Sequence, residues 1–249
     1  MQKIKLLSIV SPAFNESAAL ARLIPEMESV IPVLKKRCEK VEWIVADDGS
    51  TDNSANILDS APDFVRRLPL EHQGMSAALY AGVMAAQGEV IAAMDADCQN
   101  DPADLPAMVS LLESTGADMV CGIRNHRKDT LVKRLSSQIS NRVRRAVLKD
   151  TIRDAGCTLR VFRADVRRLC FWPIHGGHRF VGPFAQLQGL HVVQVNVRHR
   201  ERVGGRSRFG VMDRAPAVIM DLAGAKWLMS RTMAPEGSGE AGKGENAHD

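Results

Sequence analysis

Residues 90–102 read VIAAMDADCQNDP. An apolar run stops abruptly at two aspartates, Asp95 and Asp97, with a third carboxylate at Asp101 just before Pro102. A short apolar run bounded by polar residues reads as a buried strand over residues 90–94. Asp101 followed by proline reads as the cap and first turn of a helix over 102–114. The same pattern occurs twice upstream. The run at 5–10 ends in Ser11-Pro12-Ala13-Phe14-Asn15-Glu16, and the run at 41–46 ends in Asp47-Asp48-Gly49-Ser50.

Working outward, helices are expected at 16–30 with Asn15 as N-cap, from about Ser54, and at 76–86 with Gly88 as the stop. Further strands are expected at 64–70 and 119–122. Strands alternating with helices at this spacing imply an α/β, Rossmann-like, mostly parallel sheet flanked by helices. In such sheets ligands bind at the carboxyl ends of the strands, near the switch in strand order. The three polar motifs follow the first, second and fourth strands, where that rule places a site.

Beyond about residue 124 the character changes. A basic helix is expected over 131–148, strands at 158–162 and 191–197, a glycine- and arginine-rich loop at 204–210, and an amphipathic helix at 215–230. The division expected is one domain over 1–231, with a first half to about 123 and a second half from about 124. Residues 232–249 are rich in Gly, Glu, Ser and Ala and are expected to be a disordered tail.

The 249 residues are 45% hydrophobic, enough for one large core. The net charge is only +4, but it is unevenly placed. Arginines and lysines crowd 124–149 with Asp129 the lone carboxylate until Asp150, and Arg198, Arg200, Arg202, Arg206 and Arg208 crowd a second stretch. Such stripes attract phosphate, although a solvated helix face is the commoner meaning of any one charge. Five dispersed cysteines without a C-x-x-C motif argue for a reducing compartment and against a disulfide framework or zinc site. No signal peptide and no span of roughly 20 apolar residues is visible.

Two carboxylates one residue apart at a strand end can turn toward one site. They suit a hard cation, Mg2+ or Mn2+, that bridges and neutralises a diphosphate. Asp95 and Asp97 are the candidate metal ligands, with Gln99 a further oxygen and Ala96 between them. A lone D-x-D is a weak signal; its company strengthens it. Asp47 and Asp48 can accept hydrogen bonds from a base or ribose, against the plainer reading of a tight turn capped by Ser50 or Asp52.

Together these segments resemble family 2 glycosyltransferases, and among them the polyprenyl-phosphate sugar transferases typified by dolichyl-phosphate mannose synthase. The resemblance continues in Asp154-Ala155-Gly156-Cys157-Thr158-Leu159-Arg160-Val161-Phe162-Arg163 and in Arg202-Val203-Gly204-Gly205-Arg206-Ser207-Arg208-Phe209-Gly210, and covers roughly residues 5 to 230. It implies a GT-A fold and transfer from a nucleotide-diphosphate sugar. Pro12, Phe14, Glu16 and Asp47 match positions that hold base and ribose. Asp95, Asp97 and Gln99 match the metal and diphosphate positions. Arg124, Arg202 and Arg208 match basic residues around the phosphates, where a guanidinium can hold two oxygens at once. Three departures stand out. Phe14 replaces a frequent tyrosine, Arg208-Phe209 replaces Lys-Tyr, and Gly156-Cys157-Thr158-Leu159 breaks the usual S-G-F order.

An inverting transfer to a sugar hydroxyl needs a base, and the Q-x-x-R-W motif of the processive relatives is absent. A phosphate acceptor is already ionised and needs positive charge instead. The expectation is therefore an inverting transferase with Mg2+ or Mn2+, donor and polyprenyl phosphate as partners, and Asp95, Asp97 and Arg202 at the reaction. Asp154 would orient the acceptor or an arginine. The loop at 175–180 would lie by the lipid-phosphate path. The enzyme would be cytoplasmic, peripheral on the inner membrane through its amphipathic helix, with a membrane partner subunit conceivable. A transferase acting on a glycan hydroxyl and a non-catalytic nucleotide-sugar-binding subunit are the alternatives. Nucleic-acid binding has little support at 4% aromatic residues.

Overall fold

The structure, a computed structural model, describes residues 3–124, 131–170, 174–203 and 211–231, with side chains over 3–124, 139–168, 174–203 and 220–231. Strands β1 (Ile4–Ala13), β2 (Cys38–Asp47), β3 (Val65–Pro69), β4 (Val90–Ala93), β5 (Met119–Arg124), β6 (Arg160–Arg163) and β7 (Val192–Val197) form one sheet in the order β3-β2-β1-β4-β6-β5-β7. All pairings are parallel except those of β6, which runs antiparallel to both β4 and β5. Strand order reverses between β1 and β4: the chain builds outward through β2 and β3, then returns to the other side of β1. The crevice of an open α/β sheet lies at such a point.

The inner strands are apolar on both faces because helices cover both faces. Helices α1 (Ser17–Leu34) and α4 (Leu105–Thr115) cover one side, burying Leu20, Leu23, Leu105 and Val109 with Leu7, Ile9, Trp43 and Val45 of the sheet. On the other side lie α3 (Met75–Ala85), a short helix α7 (Val181–Leu187) and the long α8 (Val211–Arg231). Leu79, Phe184 and Ala225 pack there with Val10, Ile44, Ile91 and Phe162. Each fully buried large side chain contributes roughly 1.5–3 kcal/mol. Gly82 of α3 sits so close to β1 that a Cβ would lie 2.5 Å from Val10 Cγ1. Residues α2 (Ser54–Asp59), α5 (Leu131–Leu148) and α6 (Val166–Cys170) complete the helices.

The mostly parallel sheet is as expected; one expectation needs correction, and two features lie beyond the sequence pattern. The strand expected over 158–162 is β6, and it enters the sheet antiparallel, which a period-2 pattern cannot foretell. α6 and α7 were not legible. α7 is seven residues with Gly182 and Pro183 inside it, poor helix formers held in place by the burial of Val181, Phe184 and Ala185. Asn15 does not cap α1: it takes φ of 56°, and the N-cap position is Glu16, which makes no side-chain cap. Asp101 does cap as expected, accepting from Ala103 N at 3.0 Å at the head of a 3-10 turn that leads into α4. The loop at 204–210, with Arg206 and Arg208, and the tail at 232–249 lie outside the described residues.

Candidate active site at the strand ends

The loops after β1 and β2 are built on each other. Asn15 is left-handed so that its amide oxygen can accept from the main-chain N–H groups of Thr51, at 2.7 Å, and Asp52, at 3.3 Å. In return Ser50 Oγ accepts from Asn15 N, Ser54 Oγ from Glu16 N, and Asp52 from Ser17 N. The open N–H groups at the start of α1 are thus satisfied by the second loop. This leaves Pro12 at a strand end and Phe14 half-buried at the mouth of the crevice.

Asp47 and Asp48 are both buried. Asp47 accepts from Arg67 Nε at 2.9 Å and from Ser50 N at 3.0 Å. Asp48 accepts from the main-chain N–H groups of Gln73, at 2.8 Å, and Gly74, at 2.9 Å, and its Oδ2 lies 2.9 Å from His72 Nδ1. The plainer reading of a turn therefore holds for much of what these two carboxylates do. They assemble the loops, and their oxygens are largely engaged. His72, held by Asp48, stacks on Phe14 with ring centroids 4.2 Å apart and planes inclined by 28°.

Asp95 and Asp97 are placed differently. Asp95 receives a hydrogen bond from Thr158, and its main-chain N–H donates to Asn100 Oδ1. Burial and the neighbouring charge of Asp97 push its carboxyl up to about 7, against partial relief from Thr158, Arg124 and Arg160. Asp97 accepts from Gln99 N and lies 3.8 Å from Arg202 Nε. Arg202 also bonds Glu16, whose carboxyl is raised by burial despite that partner. Arg202 thereby joins the first loop to the D-x-D turn.

Arg124 is clamped by Asp154 through two parallel bonds of 2.8 Å each, and its own N–H donates to the same carboxylate. Gly156 permits this, since a Cβ there would lie 2.6 Å from Arg124 Nη2. Asp154 does orient an arginine, one of the two roles expected of it.

Comparison with known proteins completes the description. Residues 8–170 match the Glycosyl transferase family 2 domain. The chain belongs to this family. It is 33% identical over 217 residues to an undecaprenyl-phosphate 4-deoxy-4-formamido-L-arabinose transferase of Shewanella sediminis, covering 85% of this chain and 64% of that protein. It is 32% identical over 232 residues to a dodecaprenyl-phosphate galacturonate synthase of Rhizobium johnstonii, covering 90% of this chain and 67% of that protein. The chain thus spans about two thirds of the length of these relatives. The fold is that of glucosyl-3-phosphoglycerate synthase from Mycobacterium tuberculosis, crystallised with Mn2+, uridine diphosphate and phosphoglyceric acid. That match has a TM-score of 0.67 at 20% identity, covering 94% of this chain and 80% of that one. The sheet is GT-A.

Pro12, Phe14, Glu16, Asp47, Asp48, Asp95, Ala96, Asp97, Gln99, Arg124 and Asp154, all within the matched residues, and Arg202 beyond them lie on the loops and strand ends just described. Their grouping differs from expectation in two ways. The Gln99 side chain points to His199, with its Nε2 3.5 Å from the histidine Nε2, and its main-chain oxygen accepts from Arg200 N. And the arginines expected to supply free positive charge are partly spent. Arg198 and Arg200 pair with Asp101, Arg200 also with Glu26, and Arg144 is buried against Asp150. Isolated arginines in sequence give no hint of carboxylates brought from 97 or 174 residues away.

The residues present fit a divalent cation. No group of three His, Cys, Asp or Glu suited to a metal occurs among the described residues. Mg2+ and Mn2+ at a diphosphate ask for fewer: one or two carboxylates, with substrate oxygens and water filling the rest. Asp95 and Asp97 repel each other at a half-buried strand end, the condition a dication would relieve. Sequence reasoning missed Thr158, Arg160 and His72. Thr158 and Arg160 sat in the expected strand without an assigned role. Arg160 is buried and donates to the main-chain oxygens of His178 and Ala155. Burial raises the thiols of Cys38 and Cys98 to about 11 and that of Cys157 to about 12.

Proposed function

We propose that this chain transfers a sugar, with inversion, from a nucleotide-diphosphate sugar to a polyprenyl phosphate. The observation that carries the reading is the shared acceptor of its relatives. Two proteins named for different sugars, each covering at least 85% of this chain, are both named for polyprenyl phosphates. The geometry supports it from a second side. Asp154, the carboxylate that the second half brings to the site, is held in a bidentate pair with Arg124. A carboxylate so engaged is a poor base for a hydroxyl acceptor, and a phosphate acceptor needs none.

In this reading the loop that carries Phe14 forms the base side of the crevice, and Asp47 and Glu16 lie on the ribose side. A divalent cation bound by Asp95 and Asp97 would neutralise the departing nucleoside diphosphate. Arg202, shared between Glu16 and Asp97, stands where diphosphate oxygens would compete for it; Arg208, outside the described residues, is the further arginine expected at the phosphates. The phosphate oxygen of the acceptor attacks the anomeric carbon as the bond to the diphosphate breaks. No proton changes hands if the acceptor is fully ionised. Arg124, fixed by Asp154 and Gly156, supplies charge on the acceptor side.

The lipid acceptor asks for a membrane surface. No helix among the described residues is long and apolar enough to cross a membrane. α8 packs Ala225 inward and shows Met220 and Trp227 outward, 74% and 63% exposed. Lys226 and Arg231 are exposed on the same helix. This fits an interfacial helix on the cytoplasmic side of the inner membrane. The test is transfer from a panel of GDP- and UDP-sugars, with Mg2+ or Mn2+, into a short-chain polyprenyl phosphate. Product in the organic phase that chelation abolishes supports the reading. Nucleotide release with label in a water-soluble product would overturn it in favour of a hydroxyl acceptor.

A further inference from the structure

The loop after β3 carries a residue with no role so far. His72 lies at the rim of the crevice, and its imidazole is 53% exposed. An exposed histidine on a loop ordinarily samples several rotamers, and fixing it costs entropy. Here the ring is fixed from both sides. Nδ1 lies 2.9 Å from Asp48 Oδ2 and 3.0 Å from Asp48 O. The same buried carboxylate holds the main chain on the far side of the ring through Gln73 N and Gly74 N. Beneath the loop, Gly49 leaves room for it: a Cβ there would lie 3.1 Å from His72 N, and its φ of 71° suits glycine. One ring face then rests on Phe14 at 4.2 Å.

We infer that Phe14 and His72 form a two-ring platform, and that the nucleobase of the donor stacks on the outer side of His72. The inference rests on the nucleotide-donor part of the proposed function. The 4.2 Å spacing admits no third ring between the two, so a base must extend the stack rather than enter it. Stacking on an aromatic face tolerates any base, because every base has a π-face. Ring placement by Asp48 means that the platform is set before the ligand arrives, which lowers the ordering cost of binding. It also gives Asp48, whose oxygens are turned inward, a reason to be at this strand end.

The competing interpretation is that His72 serves only to complete the loop that Asp48 anchors. Calorimetric titration of the purified chain with UDP, GDP and pyrophosphate, each in Mn2+, separates the two. A base-stacking His72 predicts that His72→Ala weakens binding of the preferred nucleotide about tenfold and leaves pyrophosphate binding within twofold, since only the nucleotide carries a base. His72→Phe, which keeps a ring but loses the bond to Asp48, should bind the nucleotide within threefold of wild type. Equal weakening of nucleotide and pyrophosphate by His72→Ala would mean a collapsed loop and would overturn the inference. So would unchanged nucleotide binding in His72→Ala. Wild-type protein that binds neither nucleotide would sink the donor reading itself, and the platform with it. None of these titrations contains a lipid acceptor, so an error about the acceptor leaves the result intact.

Discussion

Two pairs of aspartates end two buried strands of the same sheet, yet they face opposite problems. Asp47 and Asp48 at the end of β2 are met by Arg67, by the N–H groups of Ser50, Gln73 and Gly74, and by His72. Asp95 and Asp97 beyond β4 are met by Thr158, by Gln99 N and at longer range by Arg202, and they repel each other. The first pair is assigned to holding loops together. The second keeps an excess of negative charge that Thr158, Arg124, Arg160 and Arg202 relieve only in part. Carboxylates in such different settings suit different uses: donors already supplied make structure, and charge left over suits a cation.

The contrast is most open to attack at Asp97. Asp97→Ala should lower sugar transfer about a thousandfold, the order of several kcal/mol expected for metal stabilisation of a leaving diphosphate. Circular dichroism should show the fold intact, and chelation of the wild type should reproduce the loss. Turnover near wild-type level with metal present would end the case for this ligand.

At Asp48 the same kind of substitution should act on stability instead. Asp48→Ala leaves two N–H groups and an imidazole without their charged acceptor, at a cost of about 3 kcal/mol. For a chain of this size that is a fall of ~6–12 °C in melting temperature. A melting temperature that does not move, with catalysis abolished, would put Asp48 among the ligand-binding groups and dissolve the contrast.

A pH titration sharpens the comparison further. Burial and Asp97 raise the Asp95 carboxyl to about 7 in the folded chain, against an ordinary aspartate value near 3.8. The folded state then holds a proton that the unfolded state has lost. The stability this confers is complete below about pH 4 and is lost as pH rises through about 7. In metal-free protein the melting temperature should therefore decline over that window. Asp95→Asn should flatten the decline and melt higher than wild type at pH 8, while remaining inactive. Mn2+ should raise the wild type at pH 8 and leave Asp95→Asn nearly unchanged. The smallest effect belongs to the rim. Phe14→Tyr adds a hydroxyl to a ring whose stacking is kept, and donor KM in the transfer assay should shift less than threefold.

Much of this was legible because it is local. Apolar runs stopped by Ser11-Pro12 or by carboxylates located β1, β2 and β4, and proline after Asp101 located the turn into α4. The D-x-D turn was readable for the same reason. What escaped depended on contacts between distant residues. Asn15 reads as a cap, but the second loop competes for its amide and wins, turning the residue left-handed. Arg200 reads as free charge until Asp101 and Glu26 reach it. His72 lacks any ligand spacing in sequence and acquires meaning only when β1 and β3 place its loop over Phe14. α7 breaks propensity rules that its buried face overrides.

The antiparallel β6 has a consequence for how the chain comes into being. It is the only strand between β4 and β5, so during synthesis β4 remains a bare sheet edge until residue 163 has left the ribosome. Bare edges pair promiscuously. β4 is only four residues long, which limits the hazard. The same delay means that Thr158 and Arg160 reach Asp95 only after β4 is made, and Arg202 reaches Asp97 later still. A nascent chain can hold the first two loops and the buried D-x-D strand, yet the pocket around Asp95 closes only when the late strand threads into its slot. Closure of the sheet between β4 and β5 and closure of the pocket around Asp95 are one event, so a truncation before residue 160 should lose both together.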